Sequence, residues 1–471
     1  MSFQRVTTIA TDIDFMIPSN LFDVAQWGGG ALIAGVPAAT MTKISSDTRS
    51  IQPGDTFLAL KGENFNGHDF LGKAIEAGAS SLIVSELPAE TESYSGNIIH
   101  VRNTLKALQE IALNYRRKVI SDLFVVGVTG SNGKTSTKDF LNAVLSQAGK
   151  VNATKGNLNN HIGLPMTVLD TESEDRFGIW EMGMNHPGEI SPLAEIANPD
   201  AAVITNVGTA HIEHMKTREA IAREKGALAR AIGKDGFCVM PATDDYFDFI
   251  ASQVRCEMIG VGGEKSLVRA DDLQVASDGI SFTLWIDGET ASVSLPVPGR
   301  HMVMNSLLAA AVGYRKGISI DQIAAGLSAT KMTGGRLEKD GWNGISILND
   351  SYNANPDSVK AALLSLTEVP SEGRKIAVLG FMGELGEHEE SAHHEVGAYA
   401  TEVGVDLLVT VSEKAALIGD GAGGKIKTEK FESHEAAASY LKGELATGDT
   451  LLVKGSRAAR METVIDILKK N

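Results

Sequence analysis

The sequence predicts an α/β protein of three domains, on three observations. At 471 residues it is longer than one hydrophobic core usually organises. Short apolar runs ending at glycine-rich or polar turns alternate with helical stretches, the signature of parallel sheets, and this alternation stops and restarts near Gly334. A glycine-rich loop between a strand and a helix follows the apolar run Leu123–Val128, where an α/β sheet places its ligand crevice.

Composition fits this class. With 43% hydrophobic and 22% charged residues and 49 glycines, the chain reads as an ordinary α/β enzyme rather than a disordered, fibrous or membrane protein. Its 43 basic and 59 acidic residues give a net charge of −16, which disfavours binding to nucleic acid or an anionic membrane surface. An anionic substrate therefore needs a local basic or amide-lined pocket. The two cysteines, Cys238 and Cys256, are too few for a disulfide framework and read as thiols in a reducing compartment. The start, MSFQRVTTIATDIDFMIPSN, lacks the basic start and unbroken apolar stretch of a secretory signal, and no later segment approaches the ~20 apolar residues of a membrane span. A cytoplasmic protein without membrane insertion is expected, as is a monomer.

Residues 1–101 form the first domain, a small α/β unit with strands at Thr56–Leu60 and Ser81–Val84 around a helix at Phe70–Ala77. Leu105, Leu108, Ile111, Ala112 and Tyr115 share one helix face and open the second domain, 102–332. Its buried strands are Leu123–Val128, Gly178–Glu181 and Ala201–Val207. The third domain, 333–471, has strands at Ile376–Leu379, Leu407–Val411 and Leu451–Val453, each followed by a helix, and reads as Rossmann-like. The chain shows no internal repeat and no low-complexity tract.

The strongest local signal runs from Leu123 to Thr137: an apolar strand, a turn with Gly130 and Gly133, then Lys134-Thr135 opening a helix with Phe140, Leu141, Val144 and Leu145. Glycines let backbone amides converge on phosphate oxygens at a helix start. Lys134 would reach β- and γ-phosphates, and the Thr135 hydroxyl a magnesium ion. The loop departs from the usual phosphate-loop spacing because Val128 stands where its first glycine belongs.

The segment Thr129-Gly-Ser-Asn-Gly-Lys-Thr135 resembles the T-G-[ST]-x-G-K-T loop of the Mur ligases and folylpolyglutamate synthetases. The resemblance implies a three-domain enzyme that phosphorylates a carboxylate with ATP and lets an amine displace the phosphate. ATP would lie on Thr129, Gly130, Ser131, Asn132, Gly133, Lys134 and Thr135, with Mg2+ as cofactor. Glu181 and His211, each at the carboxyl end of a strand, match the family's metal positions, where a carboxylate and an imidazole with Thr135 hold magnesium. Taken alone, a histidine such as His211 is more often a satisfied structural residue, and it is the match to the family's positions that favours the metal. Lys225, in Arg223-Glu-Lys-Gly226, aligns with a lysine that the family carries as a carbamate, which requires surroundings that favour the neutral amine. Lys134, Lys225 and His211 are the catalytic candidates. By the same resemblance Asn305 contacts adenine with His301 nearby, Arg336 reaches ATP from the hinge to the third domain, and Asp350 binds ribose.

Thr154–Asn160, Glu181–Ile190 and Asn349–Pro356 resemble the branch of the family that adds D-alanyl-D-alanine to a UDP-N-acetylmuramoyl-tripeptide. The Asp-Asn-Pro-Arg signature associated with diaminopimelate addition is absent. In the first domain, Ser46-Asp-Thr-Arg49 and Lys61–Asp69 resemble loops that receive uridine diphosphate. Ser46, Asp47, Arg49, Lys61, Asn66 and His68, with Asn157, Asn159 and Asn160, would serve that substrate. In the third domain, Gly380–Gly386 and Lys454–Arg457 follow strands, and Tyr352, Asn353, Asn355, Lys454 and Arg457 are placed on the dipeptide side. The implied function is a step of peptidoglycan precursor synthesis through an acyl phosphate. The alternatives are a folylpolyglutamate synthetase-like ligase and a phosphate-loop switch ATPase.

Overall fold

A computed structural model of the chain describes residues 17–62 and 65–470. Most of the amino-terminal stretch read for a signal, Met1–Met16, and Glu63 and Asn64 of the Lys61–Asp69 loop lie outside the described residues. The chain divides into two compact units. One comprises residues 1–123 with 155–178, the other 124–154 with 179–471.

The first unit holds a five-stranded sheet in the order Ala31–Ala34, Asn97–His100, Ser81–Val84, Thr56–Leu58, Ile44–Ser45. Its pairings are parallel except at Ala31–Ala34, which runs antiparallel at the edge. Phe57, Leu71, Ala74, Leu82, Val84 and Ile98 form its core. The strand expected at Thr56–Leu60 ends at Leu58, because the next residues turn: Leu60 N–H donates to Leu58 O and Gly67 N–H to Leu60 O.

A nine-stranded sheet contains Phe124–Thr129, flanked by Ala201–Ile204 and Asp175–Glu181. Phe124–Thr129 lies almost entirely inside, as a parallel strand covered on both faces must, and its apolar composition follows from that. The sheet is not wholly parallel, contrary to expectation: Val268–Ala276, Gly279–Ile286 and Glu289–Leu295 extend it as an antiparallel meander. The turn between the last two is Asp287-Gly288, both at positive φ, the conformation a two-residue hairpin selects. A six-stranded sheet follows in the order Glu338–Trp342, Ile345–Asp350, Thr450–Lys454, Lys375–Gly380, Leu407–Val411, Lys427–Phe431. It is parallel apart from its first hairpin, which turns at Asn343-Gly344 in the same way. Ile347, Ile376, Val378, Val409, Leu451 and Val453, on its own strands, belong to one buried apolar cluster. Cys238 and Cys256 are both buried free thiols. Among the described residues no helix is long and apolar enough to cross a membrane.

Two histidines are built into the interior as neutral bases. His68 Nε2 accepts from the Ser85 and Glu86 N–H groups at 2.9 and 3.2 Å, leaving Nδ1 to donate to Asn66 Oδ1 at 2.7 Å. His393 Nε2 accepts from Met382 N–H at 3.0 Å, and its Nδ1 donates to Glu389 O at 2.6 Å. Burial pushes both imidazoles below their ordinary range. A histidine with a depressed folded pKa contributes stability that is present above about pH 6.5 and is lost as pH falls below that value. The expected result is a lower thermal midpoint at pH 5.5 than at pH 7.5. His393→Gln, whose amide oxygen can still accept from Met382, should show a smaller drop between the two pH values. An equal drop in wild type and variant would remove His393 from the account.

Candidate active site

The phosphate loop is shaped by the strand beside it. Thr129 Oγ1 donates to Met182 O at 2.9 Å. Gly130 lies so close to Thr205 that a Cβ there would come within 1.7 Å of Thr205 Oγ1, so no other residue fits. Thr205 Oγ1 donates to Asn132 O, Ser131 N–H to Asn206 O at 3.1 Å, and Asn132 N–H to Asn206 Oδ1 at 2.9 Å. Thr205 and Asn206 were not singled out from the sequence. The usable signal is their place just past the carboxyl end of the buried strand Ala201–Ile204. Gly133, at φ 77°, ends the loop, and the helix Lys134–Leu145 begins there, aiming its amino-terminal N–H groups into the site.

Two cations, Lys134 and Arg336, and one buried carboxylate, Glu181, converge at this loop, with Lys225 near Lys134. Lys134 Nζ donates to Gly130 O at 2.8 Å. Thr135 Oγ1 donates to Glu181 Oε2 at 3.2 Å and accepts from Arg336 Nη2 at 2.9 Å. The Arg336 guanidinium lies 4.1 Å from the Tyr352 ring centre, and its Nε is buried without a partner. Burial holds the Lys134 ammonium below its ordinary pKa and Arg336 acts in the same direction, against an opposing pull from Glu181. Lys225, on the helix Arg218–Ala231, is 1% exposed, and burial reinforced by the charge of Lys134 pushes it well below the ordinary lysine range. That is the environment in which a lysine can be a neutral amine.

Glu181 is 1% exposed, and its second oxygen, Oε1, is buried without a hydrogen-bond partner. An orphaned carboxylate oxygen in the interior is costly, and a hard divalent cation with oxygen ligands satisfies it. Glu181 and Thr135 thus fit a magnesium ion. His211 sits at φ 63°, with Nδ1 2.5 Å from Glu384 Oε2 but outside hydrogen-bond geometry. This contact holds the Glu384 carboxyl below its usual range. Among the described residues no three His, Cys, Asp or Glu side chains form a metal cage. Magnesium commonly binds one or two carboxylates together with substrate phosphates.

The remaining candidates divide by location. Asn305 is buried beside Gly133, with its amide oxygen 2.7 Å from where a Gly133 Cβ would stand. His301 is half-buried, and burial lowers its pKa. Asp350, expected at ribose, accepts from Lys454 Nζ at 2.6 Å and from Leu337 N–H at 3.1 Å. Lys454 also donates to Asn353 O at 2.9 Å and is 3% exposed, so its ammonium braces the fold rather than facing an open dipeptide pocket. Asn353 Oδ1 accepts from Arg457 N–H at 3.3 Å, and the Arg457 side chain pairs with Glu462 at 2.9 Å. Tyr352 serves as the platform for Arg336. Asn355 Nδ2 donates to Asn132 Oδ1 at 2.7 Å.

In the first unit, Arg49 is 88% exposed and paired with Asp47 at 2.7 Å, next to half-buried Ser46. Lys61 pairs with Glu86 at 2.8 Å. Asn66 and His68 hold each other, and both ring nitrogens of His68 are engaged internally, so the imidazole offers no free nitrogen to a ligand. Asn160 Oδ1 accepts from Ile162 and Gly163 N–H, starting the helix Gly163–Leu169, while Asn157 is exposed and Asn159 half-exposed.

A phosphate loop with a converging lysine, arginine and buried glutamate defines a nucleotide-dependent phosphoryl-transfer enzyme. The chain matches the Mur ligase family catalytic domain over residues 40–116, the Mur ligase middle domain over 128–313 and the Mur ligase glutamate ligase domain over 335–457. It is 37% identical to the UDP-N-acetylmuramoyl-tripeptide–D-alanyl-D-alanine ligase of Bacillus subtilis, covering 90% of this chain and 92% of that one. A crystal structure of MurF from Acinetobacter baumannii superposes with a TM-score of 0.89 at 31% identity, over 97% of this chain and 100% of that one. MurF ligase from Thermotoga maritima in complex with ADP superposes with a TM-score of 0.80 at 28% identity, over 90% and 96%. The chain belongs to the Mur ligase family and is an ATP-dependent ligase.

Proposed function

We propose that this chain joins D-alanyl-D-alanine to UDP-N-acetylmuramoyl-tripeptide in peptidoglycan precursor synthesis, using ATP and passing through an acyl phosphate. The observation that carries this is the near-full-length similarity to the Bacillus subtilis ligase whose name states both substrates. The site is suited to the chemistry. The terminal carboxylate of the tripeptide attacks the γ-phosphorus, ADP leaves, and the dipeptide's α-amine then displaces phosphate from the acyl carbon. Lys134, Arg336 and the amino terminus of helix Lys134–Leu145 stabilise the negative charge that develops during transfer. Thr135, Glu181 and His211 would hold magnesium, which when bound neutralises charge between the phosphates and the acceptor. Lys225, as its carbamate, would supply a further anionic ligand. The amine needs no strongly perturbed base, since an α-amino pKa near ~7.7–8.0 leaves about a tenth neutral at pH 7. On this reading residues 1–101 receive the UDP moiety, 102–332 bind ATP and 333–471 present the dipeptide, and the protein acts as a monomer in the cytoplasm.

The test is an ADP-release assay with purified UDP-muramoyl-tripeptides and D-alanyl-D-alanine, with mass detection of the product. ADP release that depends on both acceptors, with a product mass equal to their condensation, is expected. Equal turnover without acceptors would favour a switch ATPase, and turnover with a folate and glutamate would favour the synthetase alternative.

A further inference from the structure

We propose that Asp357 is a positioning residue of the ligase reaction, acting through Thr209 to lock the start of helix Pro356–Glu368 onto the segment that braces the phosphate loop. This rests on the ligase reading above. Asp357 Oδ2 accepts from both the N–H and the Oγ1 of Thr209, at 2.8 and 2.9 Å, across 148 residues of sequence. The preceding Gly208 donates its N–H to Ser131 Oγ of the phosphate loop at 2.9 Å. A Cβ on Gly208 would stand 2.4 Å from Asp357 Oδ2, so a glycine is needed for the carboxylate to approach. Two residues before Asp357, Asn355 caps the same helix through a capping box and donates to Asn132 Oδ1 at 2.7 Å. Consecutive loop residues Ser131 and Asn132 are therefore tied to one helix start.

An aspartate in a first helical turn ordinarily acts on its own helix dipole. Here the hydrogen bonds of the carboxylate run to Thr209 instead, so its effect falls on the placement of the six-stranded domain against the phosphate loop. That domain carries Tyr352, the platform for Arg336, and Glu384, which meets His211. A misplacement of about 1 Å can cost about 100-fold in rate. The step affected is turnover rather than recognition of the UDP substrate.

The test compares Asp357→Ala, Asp357→Asn and Thr209→Val by steady-state kinetics in the full chain, alongside thermal melting. Asp357→Ala should lose about 100-fold in kcat, with KM for UDP-tripeptide unchanged. Asp357→Asn keeps an acceptor oxygen and should retain the rate within about fivefold. Thr209→Val, which keeps the N–H but deletes the hydroxyl donor, should lose about fivefold in kcat. A loss in Asp357→Asn as large as in Asp357→Ala would overturn the proposal, because acceptor position would then not be what matters. An unchanged kcat in Thr209→Val would overturn it too, whether or not Asp357→Ala folds. If wild type makes no ligation product at all, the ligase reading fails instead.

Discussion

Lys134→Ala is expected to lower product formation by about 10³-fold while leaving the thermal midpoint close to that of wild type. The rate effect follows from what the ammonium faces. Lys134 starts the helix behind the glycine loop, and its Nζ lies 2.8 Å from Gly130 O, within the ring of donors that a transferring phosphoryl group would occupy. Removing one preorganised donor from such a site typically costs about 10²–10³ in rate, and a full charge opposite phosphate belongs at the upper end. The stability effect is small because the loop is braced by other bonds, those of Thr205 and Asn206, and because Lys134 fills no core. Lys134→Arg should rescue little, since a planar fork cannot replace a compact point charge inside a closed loop. Initial rates of ADP release with both acceptors present, with melting curves of the same samples, decide the matter. Turnover within tenfold of wild type would show that the loop does not hold the reacting phosphate.

The phosphate loop was legible in the sequence because its information is local: strand, glycines, Lys134-Thr135 and helix are contiguous, and each has its own steric or hydrogen-bonding reason. Strands buried on both faces were legible for the same reason, as at Ser81–Val84 and Leu407–Val411. The antiparallel meander of residues 268–295 was missed although Asp287-Gly288 lies between alternating apolar and polar residues, a strong short-range hairpin signal. Asn343-Gly344 gave the same signal for the hairpin that opens the third sheet. What could not be read locally is which polar groups satisfy one another at long range. Nothing near Lys454 announces Asp350, 104 residues away, and nothing near Thr209 announces Asp357. His68 illustrates the same limit: its loop resembles one that meets a ligand, yet its imidazole faces inward to the Ser85 and Glu86 amides.

Lys225→Ala is expected to be nearly inactive and to regain part of its turnover in millimolar formate or acetate. The prediction follows from a side chain whose location and charge conflict. Lys225 is 1% exposed on the helix Arg218–Ala231, and both burial and the nearby Lys134 disfavour its ammonium, with Glu224 only partly opposing them. A buried lysine that loses its proton becomes a nucleophile: its nitrogen can attack carbon dioxide, form an N–C bond and release a proton, leaving a carbamate anion. That anion would offset the positive charge of Lys134 and, together with Glu181, whose Oε1 has no partner, enlarge the set of oxygen ligands. Deleting the side chain opens a space that a small carboxylic acid can fill. Lys225→Met, which keeps most of the volume, should be equally inactive but not rescued, because no space opens for the acid. A ¹³C carbonyl resonance after incubation of wild type with labelled bicarbonate, absent from both variants, is the independent readout. Full activity in Lys225→Ala, or equal rescue of both variants by acetate, would show that Lys225 is no more than a buried structural lysine.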